Sequence, residues 1–258
     1  MKRYALIGAK LGHSYSQIIH EEIFKNNNID ATYELMEVAL EDLPNVIEQI
    51  RNGSLSGINV TIPYKEKILP LLDQVSDDVK EIKACNTVCL KDGKVTGFNT
   101  DYLGFKEQLK HQGIKLSKKN VYVLGSGGAS KAICHALKTM GIEPVVVSRK
   151  GNFKYEDLYK VRKIDIIINA TPVGMWPDVD ASPLPREIIM KARVVIDVIF
   201  NPRKTKLLEI AGQDNNGLPM LVYQAMKSEE IWQGKKIILD YNKIEEVLKW
   251  IRLENYLE

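Results

Sequence analysis

The chain has 258 residues, 45% of them hydrophobic and 27% charged, which is typical of a globular protein that folds in water. Its net charge of +3 comes from 36 basic and 33 acidic residues spread along the sequence, so no basic stretch indicates a nucleic-acid partner. No apolar stretch has the length of a membrane span or a signal peptide, and three cysteines with four scattered histidines favour buried thiols over disulfides or a metal site. We therefore expect a cytoplasmic protein with no metal, membrane or nucleic acid as a partner.

The first hundred residues alternate between strand and helix patterns. Apolar runs and helical spacing predict three strands separated by two helices, at residues 3–7, 17–26, 31–37, 43–51 and 57–61. A helix near residues 68–72, a hairpin over 87–99 that turns at Asp92-Gly93, and a helix at 103–111 follow. This order predicts an N-terminal α/β lobe.

A glycine-rich turn follows between a strand and a helix. Residues 121–124 predict a buried parallel strand, Gly125, Gly127 and Gly128 lie in the turn, and residues 129–140 predict the helix. Glycines in such a turn let backbone N–H groups approach a pyrophosphate, which the positive end of the helix dipole also attracts. The pattern indicates a dinucleotide site, although similar turns occur in other α/β proteins.

The rest of the chain extends this second lobe. Nearly continuous runs of Ile and Val at residues 164–169 and 194–198 predict strands covered on both faces. Residues 171–186 hold four prolines and predict an irregular loop at a strand's carboxyl end, where open α/β sheets bind ligands. Helical spacing over 242–257 predicts an amphipathic C-terminal helix. The expected fold is α/β with two lobes, the second a Rossmann-type doubly wound parallel sheet.

A second apolar run follows the predicted helix and ends at Val147, and the residues after it favour NADP over NAD. A site that selects NAD usually places Asp or Glu there to bind the ribose 2′-hydroxyl. Ser148, Arg149 and Lys150 instead offer a hydroxyl and two cations, which suit a 2′-phosphate that a carboxylate would repel. The alternative interpretation of the two cations is an ordinary solvated turn.

Several motifs closely resemble those of the shikimate dehydrogenase family, and they occur in the same order. They are GHSYS at 12–16, NVTIPYK at 59–65, ACNT at 84–87, GFNTD at 97–101, GSGGA at 125–129, NATPVGM at 169–175 and GLPMLVYQ at 217–224. The similarity covers nearly the whole chain. Their ordered co-occurrence is far more specific than a glycine turn alone.

The resemblance implies an NADP-linked oxidoreductase that interconverts 3-dehydroshikimate and shikimate on the chorismate route to aromatic amino acids. It implies a substrate-binding domain at residues 1–103, completed by a C-terminal helix at 235–258, and an NADP-binding domain at 104–234. The partner would be the small-molecule substrate, and the protein would be a monomer or a homodimer.

The same motifs assign roles to individual residues. Lys65 would donate a proton to the substrate carbonyl, and Asp101 would hold the lysine and accept from the reacting hydroxyl. The residues expected to bind the substrate carboxylate and hydroxyls are Ser14, Ser16, Asn59, Thr61, Asn86 and Gln224. The residues expected to bind the cofactor are Gly125, Ser126, Gly127, Gly128, Ala129, Ser148, Arg149, Lys150, Thr171, Gly217 and Met220.

Structural interpretations and other functions stay open at this point. Lys65 could begin a surface helix, Asp101 could cap the helix that follows it, and Asn86 could be a turn residue. The protein could be a quinate/shikimate dehydrogenase with NAD or dual cofactor use, a non-catalytic NADPH-binding module, or a methylene-tetrahydrofolate dehydrogenase. Phe200 and Pro172 also stand where the family usually has a tyrosine that binds the substrate carboxylate and a serine near the cofactor.

Overall fold

The computed structural model describes residues 1–12, 14–116 and 119–254, and the predicted α/β class is confirmed. The chain divides into two compact units. The first unit comprises Met1–Thr100 and Gln224–Glu258, and the second comprises Asp101–Tyr223. In the described part of the chain, no helix is long and apolar enough to cross a membrane, and no group of three or more His, Cys, Asp or Glu side chains could hold a metal ion.

Strands and helices alternate along most of the chain. The strands are β1 (Lys2–Gly8), β2 (Ala31–Glu37), β3 (Gly57–Val60), β4 (Gln74–Val75), β5 (Thr87–Lys91), β6 (Lys94–Phe98), β7 (Val121–Leu124), β8 (Val145–Val147), β9 (Ile164–Asn169) and β10 (Ala192–Asp197). The helices are α1 (Ser16–Asn27), α2 (Leu43–Arg51), α3 (Asp77–Ile82), α4 (Asp101–His111), α5 (Gly128–Thr139), α6 (Arg186–Ile189), α7 (Lys206–Ala211), α8 (Leu218–Gln233) and α9 (Tyr241–Glu254).

The first unit has a six-stranded mixed sheet in the order β2-β1-β3-β5-β6-β4. Strand β1 lies parallel to both β2 and β3, while β5 runs antiparallel to β3 and to β6. The predicted hairpin between β5 and β6 is confirmed, and its turn residues Asp92 and Gly93 both have positive φ, as a tight two-residue hairpin turn requires. The ends of β1 and β3 and the start of β5 therefore lie at the same edge of this sheet.

The second half of α8 packs closely on the sheet of the first unit. A Cβ atom at Gly57 would lie 2.6 Å from the indole nitrogen of Trp232, so glycine is needed for this approach. The indole N–H donates to the carbonyl oxygen of Val88 at 3.3 Å. In α9, which belongs to the same unit, Ile244 and Leu248 are fully buried, as expected for the apolar face of the predicted helix.

The second unit has a parallel four-stranded sheet in the order β10-β9-β7-β8. Successive residues of β9 belong to two separate apolar clusters, with Ile166 and Ile168 in one and Ile167, which lies between them, in the other. Because side chains alternate across a strand, these clusters lie on opposite faces of the sheet. The prediction of strands covered on both faces is confirmed.

One predicted element is wrong in kind. The helix expected near residues 68–72 is a single 3₁₀ turn at Leu69–Leu71. Pro70 lies inside this turn, and a proline has no N–H to donate to a longer helix.

Candidate active site

The segment that holds Ser14 and Ser16 follows β1, and Thr61 follows β3, which lies next to β1 and parallel to it. The Ser16 N–H donates to the Ser14 hydroxyl oxygen at 3.2 Å, and the Thr61 N–H donates to the Ile7 carbonyl at the end of β1 at 3.0 Å. Ser14 and Thr61 are half-buried, whereas Ser16, the first residue of α1, is buried. His13 lies outside the described residues.

Gly8 allows the two strand ends to approach each other. A Cβ atom at this position would lie 2.8 Å from the side chains of both Leu11 and Thr61. The Leu11 carbonyl in turn accepts from the N–H of Ser14 at 2.9 Å. The structure therefore brings the predicted carboxylate-binding serines and Thr61 to the same edge of the sheet.

Asn59, Asn86 and Gln224, which were predicted to bind substrate hydroxyls, meet in one buried network. The Asn59 amide donates to the Asn86 carbonyl at 3.1 Å, and the Asn86 amide donates to the Gln224 side-chain oxygen at 3.3 Å. All three side chains are buried. Their being substrate ligands stays a prediction.

Three hydroxyl groups to which the sequence motifs assigned no role complete this network. The Asn59 amide also donates to the hydroxyls of Thr87 at 3.2 Å and Ser228 at 2.9 Å, and the Asn86 amide donates to Thr100 at 2.9 Å. Ser228 lies one helical turn after Gln224, which is the only sequence signal that could have indicated it. The two amide hydrogens of Asn59 face these three acceptors, so its side-chain nitrogen is committed within the protein.

A second buried chain of contacts holds the side-chain oxygen of Asn59. The Tyr33 hydroxyl donates to the Asn59 side-chain oxygen at 2.8 Å, and the Tyr33 ring stacks on His20 with 4.1 Å between ring centroids. His20 is bonded to Glu229, and both are fully buried. Burial, with the nearby charge of Glu229 as a smaller contribution, raises the pKa of Tyr33 well above its ordinary value. Tyr33 therefore stays a neutral hydrogen-bond donor.

The two predicted catalytic residues lie at defined backbone positions. Lys65 is half-buried in the turns after β3, and its carbonyl accepts from the N–H of Cys85 at 2.8 Å, next to Asn86. Asp101 is the first residue of α4 in the second unit and is only 5% exposed. Their roles stay predictions.

The glycine turn of the second unit has the geometry expected of an anion cradle. Gly125 has a φ of +100°, and a Cβ there would lie 3.0 Å from the methyl group of Thr171. At Gly127, by contrast, a Cβ would meet no atom within 4 Å. Gly127 precedes α5, no described side chain caps this helix, and Gly128 and Ala129 open its first turn, so their backbone N–H groups can receive an anion.

The three residues after β8 differ in exposure. Ser148 is 7% exposed, and a Cβ at Gly151 would lie 2.6 Å from its hydroxyl oxygen, so glycine lets the loop fold over it. Arg149 and Lys150 are exposed. The two cations are thus open to a phosphate, while the Ser148 hydroxyl packs against its own loop.

The remaining residues predicted to bind the cofactor also differ in exposure. Ser126 is exposed and Thr171 half-buried, while Met220 is 7% exposed and packs in an apolar cluster with Phe105 and Ile196. A Cβ at Gly217 would overlap the carbonyl oxygen of Val198, so only glycine fits there. For Met220 the structure shows packing within the second unit, and its contact with a cofactor stays a prediction.

Comparisons with known proteins agree with the motifs. The model for the shikimate dehydrogenase substrate binding domain matches residues 6–88. A shikimate dehydrogenase (NADP(+)) of Clostridium beijerinckii is 44% identical over 250 residues, which cover 90% of this chain and 92% of the relative. The chain belongs to the shikimate dehydrogenase family.

Solved structures of the shikimate dehydrogenase family extend the match to the fold. Shikimate dehydrogenase 1 from Peptoclostridium difficile superposes with a TM-score of 0.87 at 40% identity, covering 98% of this chain and 99% of that one. A Thermus thermophilus shikimate 5-dehydrogenase in complex with NADP(H) and shikimate gives a TM-score of 0.84 at 33% identity, covering 95% and 98%. The expected family and two-lobed α/β fold are therefore confirmed.

Proposed function

We propose that this protein is an NADP-dependent shikimate dehydrogenase, which catalyses the reversible reduction of 3-dehydroshikimate to shikimate. The observation that carries this proposal is the 44% identity to a shikimate dehydrogenase (NADP(+)) over nine-tenths of the chain. Both residues predicted to be catalytic, Lys65 and Asp101, are present in the chain. Their presence also favours an enzyme over a non-catalytic NADPH-binding module.

The second unit carries the features that an NADP molecule requires. The open space at Gly127 and the N–H groups at the start of α5 suit the pyrophosphate, since the helix dipole favours an anion there. The exposed Arg149 and Lys150 at the end of β8 suit the 2′-phosphate. When bound, NADPH supplies the hydride that reduces the ring carbonyl.

The first unit carries the features that a small hydroxylated acid requires. The hydroxyls of Ser14, Ser16 and Thr61 collect at one sheet edge and can donate to a carboxylate or a ring oxygen. The buried amide network of Asn59 and Asn86 gives this edge fixed polar groups in place of mobile ones. We assign this unit to the substrate and the second unit to the cofactor.

Lys65 supplies the proton that the reduction needs. Its ammonium donates to the carbonyl oxygen as the hydride reaches the carbon, and its charge stabilises the developing alkoxide. In the oxidation direction the neutral amine accepts the hydroxyl proton. We assign Asp101 as an acceptor for a substrate hydroxyl, because a buried carboxylate orients a hydroxyl through a strong charge-assisted bond.

Initial rates test the proposal. The formation of the reduced cofactor, NADPH or NADH, is followed by absorbance with shikimate or quinate as substrate, each with NADP and with NAD. We expect the highest kcat/KM for shikimate with NADP. Equal or faster quinate oxidation would make the protein a quinate/shikimate dehydrogenase, and no turnover of either acid would contradict the proposal. Light scattering on the purified protein distinguishes a monomer from a homodimer.

A further inference from the structure

A buried carboxylate without a cationic partner lies at the end of β10. Asp197 is fully buried, and no salt bridge reaches it among the described residues. Burial raises its pKa to about 6, although three hydrogen bonds lower it, so the group is mostly ionised at neutral pH. An uncompensated buried charge costs stability, and a packed apolar or amide side chain would avoid that cost. The oxygens of such a carboxylate must be satisfied by hydrogen bonds from neutral groups.

The carboxylate joins three segments of the second unit. Its Oδ1 atom accepts from the Asn169 amide and from the Ile199 N–H, both at 3.0 Å, and its Oδ2 atom accepts from the Thr205 hydroxyl at 2.8 Å. Asp197 and Asn169 are paired in the register of β10 and β9. These donors are uncharged and come from the neighbouring strand, the loop after β10 and the residue that precedes α7.

The bond to Asn169 fixes the start of the loop after β9. Because the Asn169 amide nitrogen donates to Asp197, its side-chain oxygen points the other way and accepts from the Thr171 N–H at 3.0 Å and hydroxyl at 2.7 Å. A flipped amide would set its N–H groups against the N–H of Thr171. Thr171 in turn lies against the glycine turn, since a Cβ at Gly125 would be 3.0 Å from its methyl group.

The bond to Ile199 fixes a second segment. The Ile199 carbonyl accepts from the N–H of Gly217 at 3.0 Å, and the adjoining Val198 carbonyl fills the space that a side chain at Gly217 would need. One carboxylate oxygen therefore controls the positions of Thr171 and Gly217, both of which were predicted to contact the cofactor.

We propose that Asp197 is a positioning residue of the dinucleotide site, which holds Thr171 through Asn169 and Gly217 through Ile199 in the arrangement that receives NADP. The identity of the ligand rests on the proposed function. Asp197 itself does not contact the cofactor, and it acts through the two segments that it orders.

The test compares three variants in the full-length protein. Each is assayed for the Kd of NADPH by titration calorimetry, for kcat and the KM of NADP, and for the free energy of unfolding in urea. Asp197→Ala should raise the Kd and the KM roughly tenfold, the loss of about one oriented bond, with kcat within about twofold of wild type. Asp197→Asn should restore the Kd to within about threefold, because its amide oxygen accepts from Asn169 and Ile199 while its N–H donates to Thr205.

Thr205→Val is the matched control. It removes the bond to the other carboxylate oxygen and the cap of α7, since the Thr205 hydroxyl also accepts from the Leu208 N–H at 3.4 Å. We expect a loss of stability with no change in the Kd of NADPH, because Asn169 and Ile199 stay bound to Oδ1. If the Kd instead rose in proportion to the loss of stability in all variants, Asp197 would be structural only and the proposal would be overturned.

Asn169→Ala keeps the test decisive if Asp197→Ala does not fold. It cuts the link to Thr171 and should raise the Kd of NADPH by a similar factor, whereas an unchanged Kd would overturn the proposal.

The two proposals fail differently. A wild-type protein that binds NADPH but does not oxidise shikimate contradicts the proposed function and leaves the effect of Asp197 measurable, while one that does not bind NADPH overturns this inference as well.

Discussion

The imidazole Nδ1 of His20 lies 2.6 Å from the carboxylate oxygen Oε1 of Glu229, and both side chains are completely buried. The other Glu229 oxygen accepts from the Gln233 amide at 2.9 Å. His20 lies in α1 and Glu229 in the second half of α8, so this contact joins these two helical segments within the first unit. It also supports Tyr33, which stacks on His20 and orients Asn59.

Removing Glu229 should destabilise the protein strongly. We expect Glu229→Ala to lower the free energy of unfolding by about 1–3 kcal/mol, because it leaves the buried His20 ring without its hydrogen-bond partner. Glu34→Ala is the control, since Glu34 forms an exposed ion pair with Arg3 at 2.8 Å and should lose less than about 1 kcal/mol. Urea unfolding of both variants checks this, and equal losses would contradict it.

The sequence indicates the strands of the second unit well and these polar contacts poorly. Ile166 and its neighbours in β9 form an unbroken apolar run, and such a run predicts a strand covered on both faces from local sequence alone. His20 and Glu229 are 209 residues apart, and nothing local to either residue indicates the other. The partner of a buried polar group depends on tertiary packing, which one sequence without its fold does not specify.

The residues of the candidate site also fall into two groups, those in local features that the sequence indicates and those that meet only in the folded chain. Gly125 and Arg149 could be predicted because a strand-to-helix turn and a strand end are local features with known ligand chemistry. Thr100 could not, since it joins the Asn86 network only when the pairing of β6 with β5 brings the residues after β6 beside Asn86. The family resemblance supplied most of the site, and the structure supplied the residues that hold it in place.

The contribution of Asp197 to the stability of the protein should fall as the pH rises from about 4 to about 6. Its ordinary pKa of 3.8 is raised by burial to about 6 in the folded state, so the folded protein binds a proton that the unfolded chain has released in this window. Since each pKa unit is worth about 1.4 kcal/mol, the full effect is about 3 kcal/mol. Above pH 6 the contribution of this residue should be constant.

Asp197→Asn isolates that contribution from every other titrating group. The difference in unfolding free energy between the variant and wild type, measured in urea at several pH values, should grow in favour of the variant between pH 4 and pH 6 and then level off. A difference that does not change with pH would show that Asp197 is ionised at its ordinary pKa.

Arg149 should determine the choice between NADP and NAD. Arg149→Ala should raise the KM for NADP about tenfold or more, the value of a charge-assisted bond, and leave the KM for NAD nearly unchanged because only NADP carries the 2′-phosphate. Lys138→Ala serves as the control, since Lys138 is an exposed cation in the last turn of α5, at the opposite end from the glycine turn. Equal effects of the two variants on NADP would refute a specific role.

Lys65 should act in the chemical step. Lys65→Ala should lower kcat by roughly 10²–10⁴ with a modest change in the KM for shikimate, as the loss of a general acid does. Lys67→Ala is the matched control, because Lys67 is exposed two residues further along, with its ammonium 6.0 Å from the Tyr64 ring centroid. Near-normal turnover of Lys65→Ala would show that Lys65 takes no part in the chemical step.

Two glycines of the same turn should respond to alanine in opposite ways. Gly127 has a φ of −79°, which alanine adopts freely, and its Cβ would point into open space at the start of α5. Gly127→Ala should therefore leave stability unchanged or raise it by up to about 1 kcal/mol, while raising the KM for NADP because the methyl group takes room that the pyrophosphate needs. Gly125 has a φ of +100°, with the Ala170 carbonyl only 3.1 Å from a Cβ, so Gly125→Ala should cost about 1–3 kcal/mol of stability. Urea unfolding and NADP titration of both variants separate folding from binding, and a Gly127→Ala protein with normal NADP affinity would place the pyrophosphate elsewhere.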